Sequence, residues 1–140
     1  MADNFQLQVA TPERLFVNEQ VTQVELPGKS GYMGILAGHA PLLSALGGGV
    51  LTYEDGGGSH IIAISGGFVE VFDNSVRVLA DHAEFPQDIQ VDVARRELDE
   101  ANEALRRADS EEASAAALDA YQRAQARIDV AEGRHGGGTH

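Results

Sequence analysis

The sequence predicts a β-sandwich followed by an antiparallel two-helix hairpin, and three observations carry that reading. Every glycine lies at or before Gly67 or at or after Gly133, and the chain is free of proline from Gln87 onward. Residues before about Phe85 show short apolar alternations punctuated by Gly and Pro, the pattern of many short strands. Residues after Gln87 place Ala, Leu, Arg and Glu at helical spacing. The expected organisation is a strand domain over 1–87, a helical hairpin over 88–132 and a flexible tail over 133–140.

The strands follow in order. Phe5, Leu7 and Val9 alternate with polar residues until Thr11-Pro12-Glu13-Arg14 breaks the run. Leu15–Val17 and Val21–Leu26 come next, the second closed by Pro27-Gly28, and Ile35-Leu36 and Leu42–Leu46 flank Gly38-His39-Ala40-Pro41. Val50–Tyr53 and His60–Ser65 are separated by Glu54-Asp55-Gly56-Gly57-Gly58, and Phe68–Phe72 and Val76–Ala80 by Asp73-Asn74-Ser75. Both separators tolerate positive φ, so each pair reads as a hairpin, and short strands with such turns suggest a sandwich.

From Val91 the apolar positions Val91, Ala94, Leu98, Ala101, Leu105 and Ala108 run along one side of a helix. A second series, Ala117, Tyr121, Ala124, Ile128 and Ala131, repeats the spacing after Asp109-Ser110-Glu111-Glu112, where Asp109 or Ser110 can cap. So short a connection makes the helices antiparallel neighbours, and Gly133 supplies the stop. The seam is mostly alanine, which gains less than the roughly 1.5–3 kcal/mol of a larger buried side chain, while ordering costs about 1 kcal/mol or more per residue. An isolated hairpin of this kind sits near zero stability, so its order depends on what it docks against, and a switch is the functional expectation.

Composition narrows the function. The formal net charge of -12, with Lys29 the single lysine, argues against wrapping nucleic acid or lying on an anionic bilayer. Without cysteine there is no disulfide framework or thiolate chemistry, and no apolar run approaches the roughly 18 residues of a membrane span. The N-terminal Met1-Ala2-Asp3-Asn4 shows no targeting pattern, so a soluble cytoplasmic protein without membrane insertion is expected.

Chemical motifs are sparse. Gly28-Lys29-Ser30 resembles the end of a phosphate loop, but Gln23 stands where the first glycine belongs, and no helix follows. Ser65-Gly66-Gly67 has Ala63 in place of the upstream glycine of a nucleophile elbow. His39, His60, His82, His135 and His140 share no ligand spacing, so no metal site is expected. No set of nucleophile, base and oxyanion donors supports an enzyme. Asp92 and Arg95, three apart near the first helix start, share a face and are candidate ribose and phosphate contacts, although a helix-start acid and a surface ion pair are the sturdier account of them. Arg106, Arg107, Arg123 and Arg127 suit either an acidic partner or a solvated face.

Beyond these readings, the chain closely resembles the epsilon subunit of bacterial F-type ATP synthases. The resemblance rests on Thr11-Pro12-Glu13-Arg14-Leu15-Phe16, Leu26-Pro27-Gly28, Gly34 to Leu43, Ile64 to Val71 and Val78-Leu79-Ala80-Asp81, in order. It implies about ten strands in a sandwich, then two helices, in a non-catalytic central-stalk subunit at the cytoplasmic face of the bacterial inner membrane. It further implies that His39, Ala40, Pro41, Leu42 and Leu43 meet the gamma subunit and that Lys29, Ser30, Gly31 and Tyr32 meet the c-ring. The helices would inhibit ATP hydrolysis by extending toward the alpha and beta subunits, with the four arginines above as candidate contacts. ATP is the one regulatory ligand implied: Val91-Asp92-Val93-Ala94-Arg95-Arg96 keeps the Asp and Arg of the nucleotide motif of some members but replaces its Ala by Arg96. Tyr32 stands where members often carry an acid, and Ala37 where they carry proline.

Overall fold

The computed structural model describes residues 3–134. Ten strands form two five-stranded sheets, and two helices follow. The strands are β1 (Phe5–Ala10), β2 (Leu15–Val21), β3 (Gln23–Gly28), β4 (Gly31–Leu36), β5 (Leu42–Ala45), β6 (Gly49–Asp55), β7 (Gly58–Ser65), β8 (Phe68–Phe72), β9 (Ser75–Leu79) and β10 (His82–Glu84). A 3-10 turn at Pro86–Asp88 leads into α1 (Val91–Arg107) and α2 (Glu111–Ala131). One sheet has the order β2-β1-β9-β8-β5 and the other β10-β7-β6-β3-β4. The expected tail falls largely outside the described residues, as do His135 and His140. Within the described part, the Gly133 N–H donates to Val130 O, and Arg134 pairs with Asp129 and Glu132.

Alternation builds the core between the sheets. Leu7 and Val9 of β1, Val69 and Val71 of β8, and Val76 and Val78 of β9 point inward and meet Val24, Leu26, Leu51, Ile62 and Ile64 from the other sheet. Expected boundaries shift in three places. Leu15–Val21 is one strand, because Asn18, Glu19 and Gln20 pair with Gln8, Leu7 and Gln6 along the solvated sheet edge. The β3–β4 turn falls at Lys29-Ser30 and not at Pro27-Gly28, since Pro27 is still in register with Tyr32. His82–Glu84 adds a tenth strand too short to show a period. β1 and β9 run parallel, a pairing between distant segments that no local pattern reveals.

The β6 and β7 strands are covered on both sides. Leu51, Tyr53, Ile62 and Ile64 face the core between the sheets, whereas Val50, Ala63 and Ile61 face a second patch completed by Ile89, Ala126 and Val130. This patch seats α2, which also packs along α1. Squeezed between two partners, α2 buries every second residue from Ala124 to Val130, so Ala126 and Val130, off the alanine seam, are as enclosed as Ala124 and Ile128. Ser110 caps α2, its Oγ accepting the Ala113 N–H at 3.0 Å, and Gly133 ends it at φ 76°.

Candidate functional site

The two outer faces of the sandwich differ. One is roofed by α2; the other, on the β2-β1-β9-β8-β5 sheet, is bare. On that face Ala45, Phe68, Leu79, Ala10 and Leu15 stand in register across all five strands, an apolar row. The next row is Leu43, Glu70, Arg77, Gln8 and Asn18, and the third is Phe72, Ser75, Gln6 and Gln20. Leu43 is 70% exposed, Phe72 65% and Leu15 52%, an unusual concentration of wet large apolar side chains. Sequence reasoning reached Leu43 but not Phe68 or Phe72. In Phe68-Val69-Glu70-Val71-Phe72 four of the five residues are apolar, and only the pairing register shows that Val69 and Val71 take the inside.

At the corner of this face lies the loop containing His39, Ala40 and Pro41, which crosses from β4, an edge of one sheet, to β5, an edge of the other. His39, Ala40 and Pro41 are exposed, Leu42 is partly buried against the core and Leu43 opens onto the bare face. His39 turns inward on its own loop, its N–H donating to Leu36 O at 3.2 Å and its Nδ1 lying 2.7 Å from Ala40 O. The structure therefore brings the expected His39–Leu43 segment together with the bare face and its exposed apolar side chains.

The Lys29–Tyr32 hairpin projects at another corner. Lys29, Ser30, Gly31 and Tyr32 are all exposed, and the Tyr32 hydroxyl is anchored, accepting the Val50 N–H at 2.9 Å. Gly49 makes room for it, because a Cβ there would lie 2.4 Å from the hydroxyl. Burial raises the Tyr32 pKa above the ordinary value, the Val50 N–H partly offsets that, and Glu25 and Asp129 reinforce it.

Beside the apolar patch, one guanidinium ties the arm to the sandwich. Arg127, 11% exposed at its side chain, donates Nε to Glu84 of β10 at 2.6 Å and Nη1 to Glu97 of α1. Burial works against its charge, but the hydrogen bonds and charges of Glu84 and Glu97 prevail, and the pKa stands above the ordinary arginine value. One residue thus joins α2, α1 and the strand domain. Neither Glu84 nor Glu97 carries a sequence signal, since each is an unremarkable acid in a chain rich in them. Gly48 adds to the seat: a Cβ on it would come within 3.1 Å of Arg123 N and 3.2 Å of Gln122 C, so the α2 backbone passes directly over it.

The other arginines are placed differently. Arg106 and Arg107 are exposed at the tip of α1 beside Glu103. Arg123 lines a cleft of about 360 Å³ with Lys29, Gly47, Gly67, Asp81 and Asp119. Asp92 is exposed, while Arg95 Nη2 pairs with Glu132 at 2.5 Å; no ion pair joins Asp92 to Arg95 among the described residues. Among the described residues no three His, Asp or Glu side chains gather into a metal-holding group, and no helix is long and apolar enough to cross a membrane.

Comparison with known proteins adds to this geometry. The family profile of the ATP synthase delta/epsilon chain β-sandwich domain matches residues 4–86. The ATP synthase epsilon chain of Solibacter usitatus is 48% identical over 133 residues, covering 94% of this chain and 98% of the relative. That of Nitratidesulfovibrio vulgaris strain DP4 is 43% identical over 130 residues, covering 93% and 97%. Among solved structures, a chain of the Euglena gracilis mitochondrial ATP synthase OSCP/F1/c-ring assembly superposes with a TM-score of 0.75 at 24% identity, covering 92% of this chain and 81% of that one. A chain of the Tetrahymena thermophila mitochondrial ATP synthase central stalk and c-ring gives 0.65 at 15% identity, covering 90% and 95%. These two likenesses are of fold.

Proposed function

Because the chain belongs to the ATP synthase delta/epsilon family, as an epsilon chain and not a catalytic subunit, we propose that it joins the rotor shaft to the c-ring and regulates hydrolysis through its helical arm. The observation that carries this reading is the asymmetry of the sandwich. A sheet face bearing Leu43, Phe68, Phe72 and Leu15 in water is poorly suited to standing alone, and the gamma subunit is the partner that would cover it, with His39, Ala40, Pro41 and Leu42 at its rim. Lys29, Ser30, Gly31 and Tyr32 reach toward the c-ring loops, with the anchored Tyr32 hydroxyl setting the hairpin. The protein is peripheral, at the cytoplasmic face of the bacterial membrane.

The arm supplies regulation. It rests on a small patch and one charged latch, so undocking it leaves the inter-sheet core intact. Laid end to end, α1 and α2 would span about 57 Å at 1.5 Å per residue, enough to reach the alpha and beta subunits with Arg106, Arg107, Arg123 and a released Arg127. The test is deletion of every residue after Gln87. Assembly should survive while hydrolysis by the complex rises. Unchanged hydrolysis removes the inhibitory role, and failed assembly removes the separation of the two parts.

The root of the arm offers a second reading, in which ATP is a regulatory ligand. Arg95 is half exposed and held by a single carboxylate from Glu132, so a phosphate can compete for it while Asp92 meets the ribose. Calorimetry with millimolar ATP decides: heat that disappears in Arg95→Ala supports the site, and no heat rejects it.

A further inference from the structure

We propose that Asn74 is the positioning residue of the Gly38–Pro41 loop, holding it in the shape that the rotor shaft receives; this rests on the gamma-docking reading above. Asp73 and Asn74 form the two-residue turn between β8 and β9, with φ of 54° and 57°, both left-handed. Glycine suits such a turn with the least strain, and asparagine is tolerated there. What asparagine adds is its amide. Oδ1 accepts the Gly38 N–H at 3.2 Å, and Nδ2 donates to Asn4 O at 2.9 Å. Its backbone carbonyl takes the Gln6 N–H at 3.3 Å. One turn residue therefore grips the chain just before β1 with one end of its side chain and the crossing loop with the other.

The loop has little else to hold it. His39 bonds only to Leu36 and Ala40, within the loop and its stem, so among the described residues the Asn74 amide is the hydrogen bond that ties Gly38–Pro41 to the rest of the sandwich. Gly38 itself sits at φ 81°, where the backbone has wide freedom once released. Phe72, immediately before the turn, is one of the most exposed apolar side chains of the bare face. The turn thus fixes two parts of one surface in mutual register: the Phe72 row and the His39 loop. A partner that finds the loop already set avoids the entropy of ordering it.

The test uses the full chain, isolated and with the gamma subunit, in three variants. Asn74→Gly keeps the left-handed turn and removes the amide; Asn74→Asp keeps the acceptor for Gly38; Leu43→Ser probes the bare face by itself. In Asn74→Gly the Gly38 and His39 amides should exchange about fivefold faster, with β8 and β9 protection unchanged, and affinity for the gamma subunit should fall about fivefold, the weight of one net hydrogen bond. Asn74→Asp should restore both Gly38 protection and affinity. Unaltered Gly38 exchange in Asn74→Gly overturns the tether. A freed loop with undiminished affinity, while Leu43→Ser weakens binding, overturns positioning and leaves the docking face standing. Undiminished affinity in both Asn74→Gly and Leu43→Ser overturns both readings.

Discussion

Replacing Arg127 by methionine removes the charge that ties the arm to the sandwich while keeping most of the buried stem. A hydrogen bond to a charged group contributes about 1.5–3 kcal/mol, and Arg127 makes such bonds to both Glu84 and Glu97. Water takes part of that back, because the partner side chains are 31% and 42% exposed and resolvate when the guanidinium leaves. The net loss is therefore about 1–2 kcal/mol, a 5- to 30-fold rise in the undocked population. That is comparable to one of the few apolar anchors in the patch, where burying a side chain such as Val130 or Ile89 gives about 1.5–3 kcal/mol. Hydrogen exchange on the isolated subunit reads the effect directly. Amides of α1 and α2 should exchange 5- to 30-fold faster, and those of β1, β8 and β9 should not change. A uniform acceleration, or none, would refute the idea that this ion triad governs docking specifically.

Three further outcomes follow from the geometry. Gly48→Val should lift α2 by obstructing its backbone, giving arm-selective exchange like that of Arg127→Met through an unrelated contact; a stably docked arm in this variant would show that the seat yields. Ser110→Ala should cost the hairpin about 1 kcal/mol by leaving the Ala113 N–H uncapped, seen as a lower midpoint in arm unfolding followed by circular dichroism. Tyr53 is pushed up to about 12 by burial first, then by the charges of Glu19 and Asp55 and its bond to Glu19. The fold holds this phenol neutral, so its contribution is complete below the unfolded tyrosine value of about 10 and is lost as pH rises toward 12. Absorbance titration should show a component near pH 12 that Tyr53→Phe removes, and persistence of that component would assign it elsewhere.

Much of this architecture was legible in residue order. The strand-rich and helical regions separate where proline disappears, after Pro86, the Asp73-Asn74 turn announces its hairpin, and Ser110 marks the second helix start. What escaped was anything requiring two partners at once. Ile61–Ile64 is an unbroken apolar run, and Val50-Leu51 places apolar residues on successive positions, because these strands are covered on both sides, a signal that a two-layer expectation does not use. Arg127 looked like any solvated arginine, since Ala126 and Val130 beside it belong to a contact with the sheet that the α1 seam does not predict. The same holds for the site. Gly38-His39-Ala40-Pro41 stands out by itself, but its tether is 36 residues away, and Phe68 and Phe72 share a strand with equally apolar inward neighbours.

The separation of the inter-sheet interior from the small pad beneath α2 also has an evolutionary consequence. Changes among Val50, Ala63, Ile89, Ala126 and Val130 can loosen or tighten the arm without touching the residues that keep the sheets together. Side chains in the pad can therefore vary among lineages, setting how firmly the arm is seated, while the interior that holds the sheets is inherited unaltered.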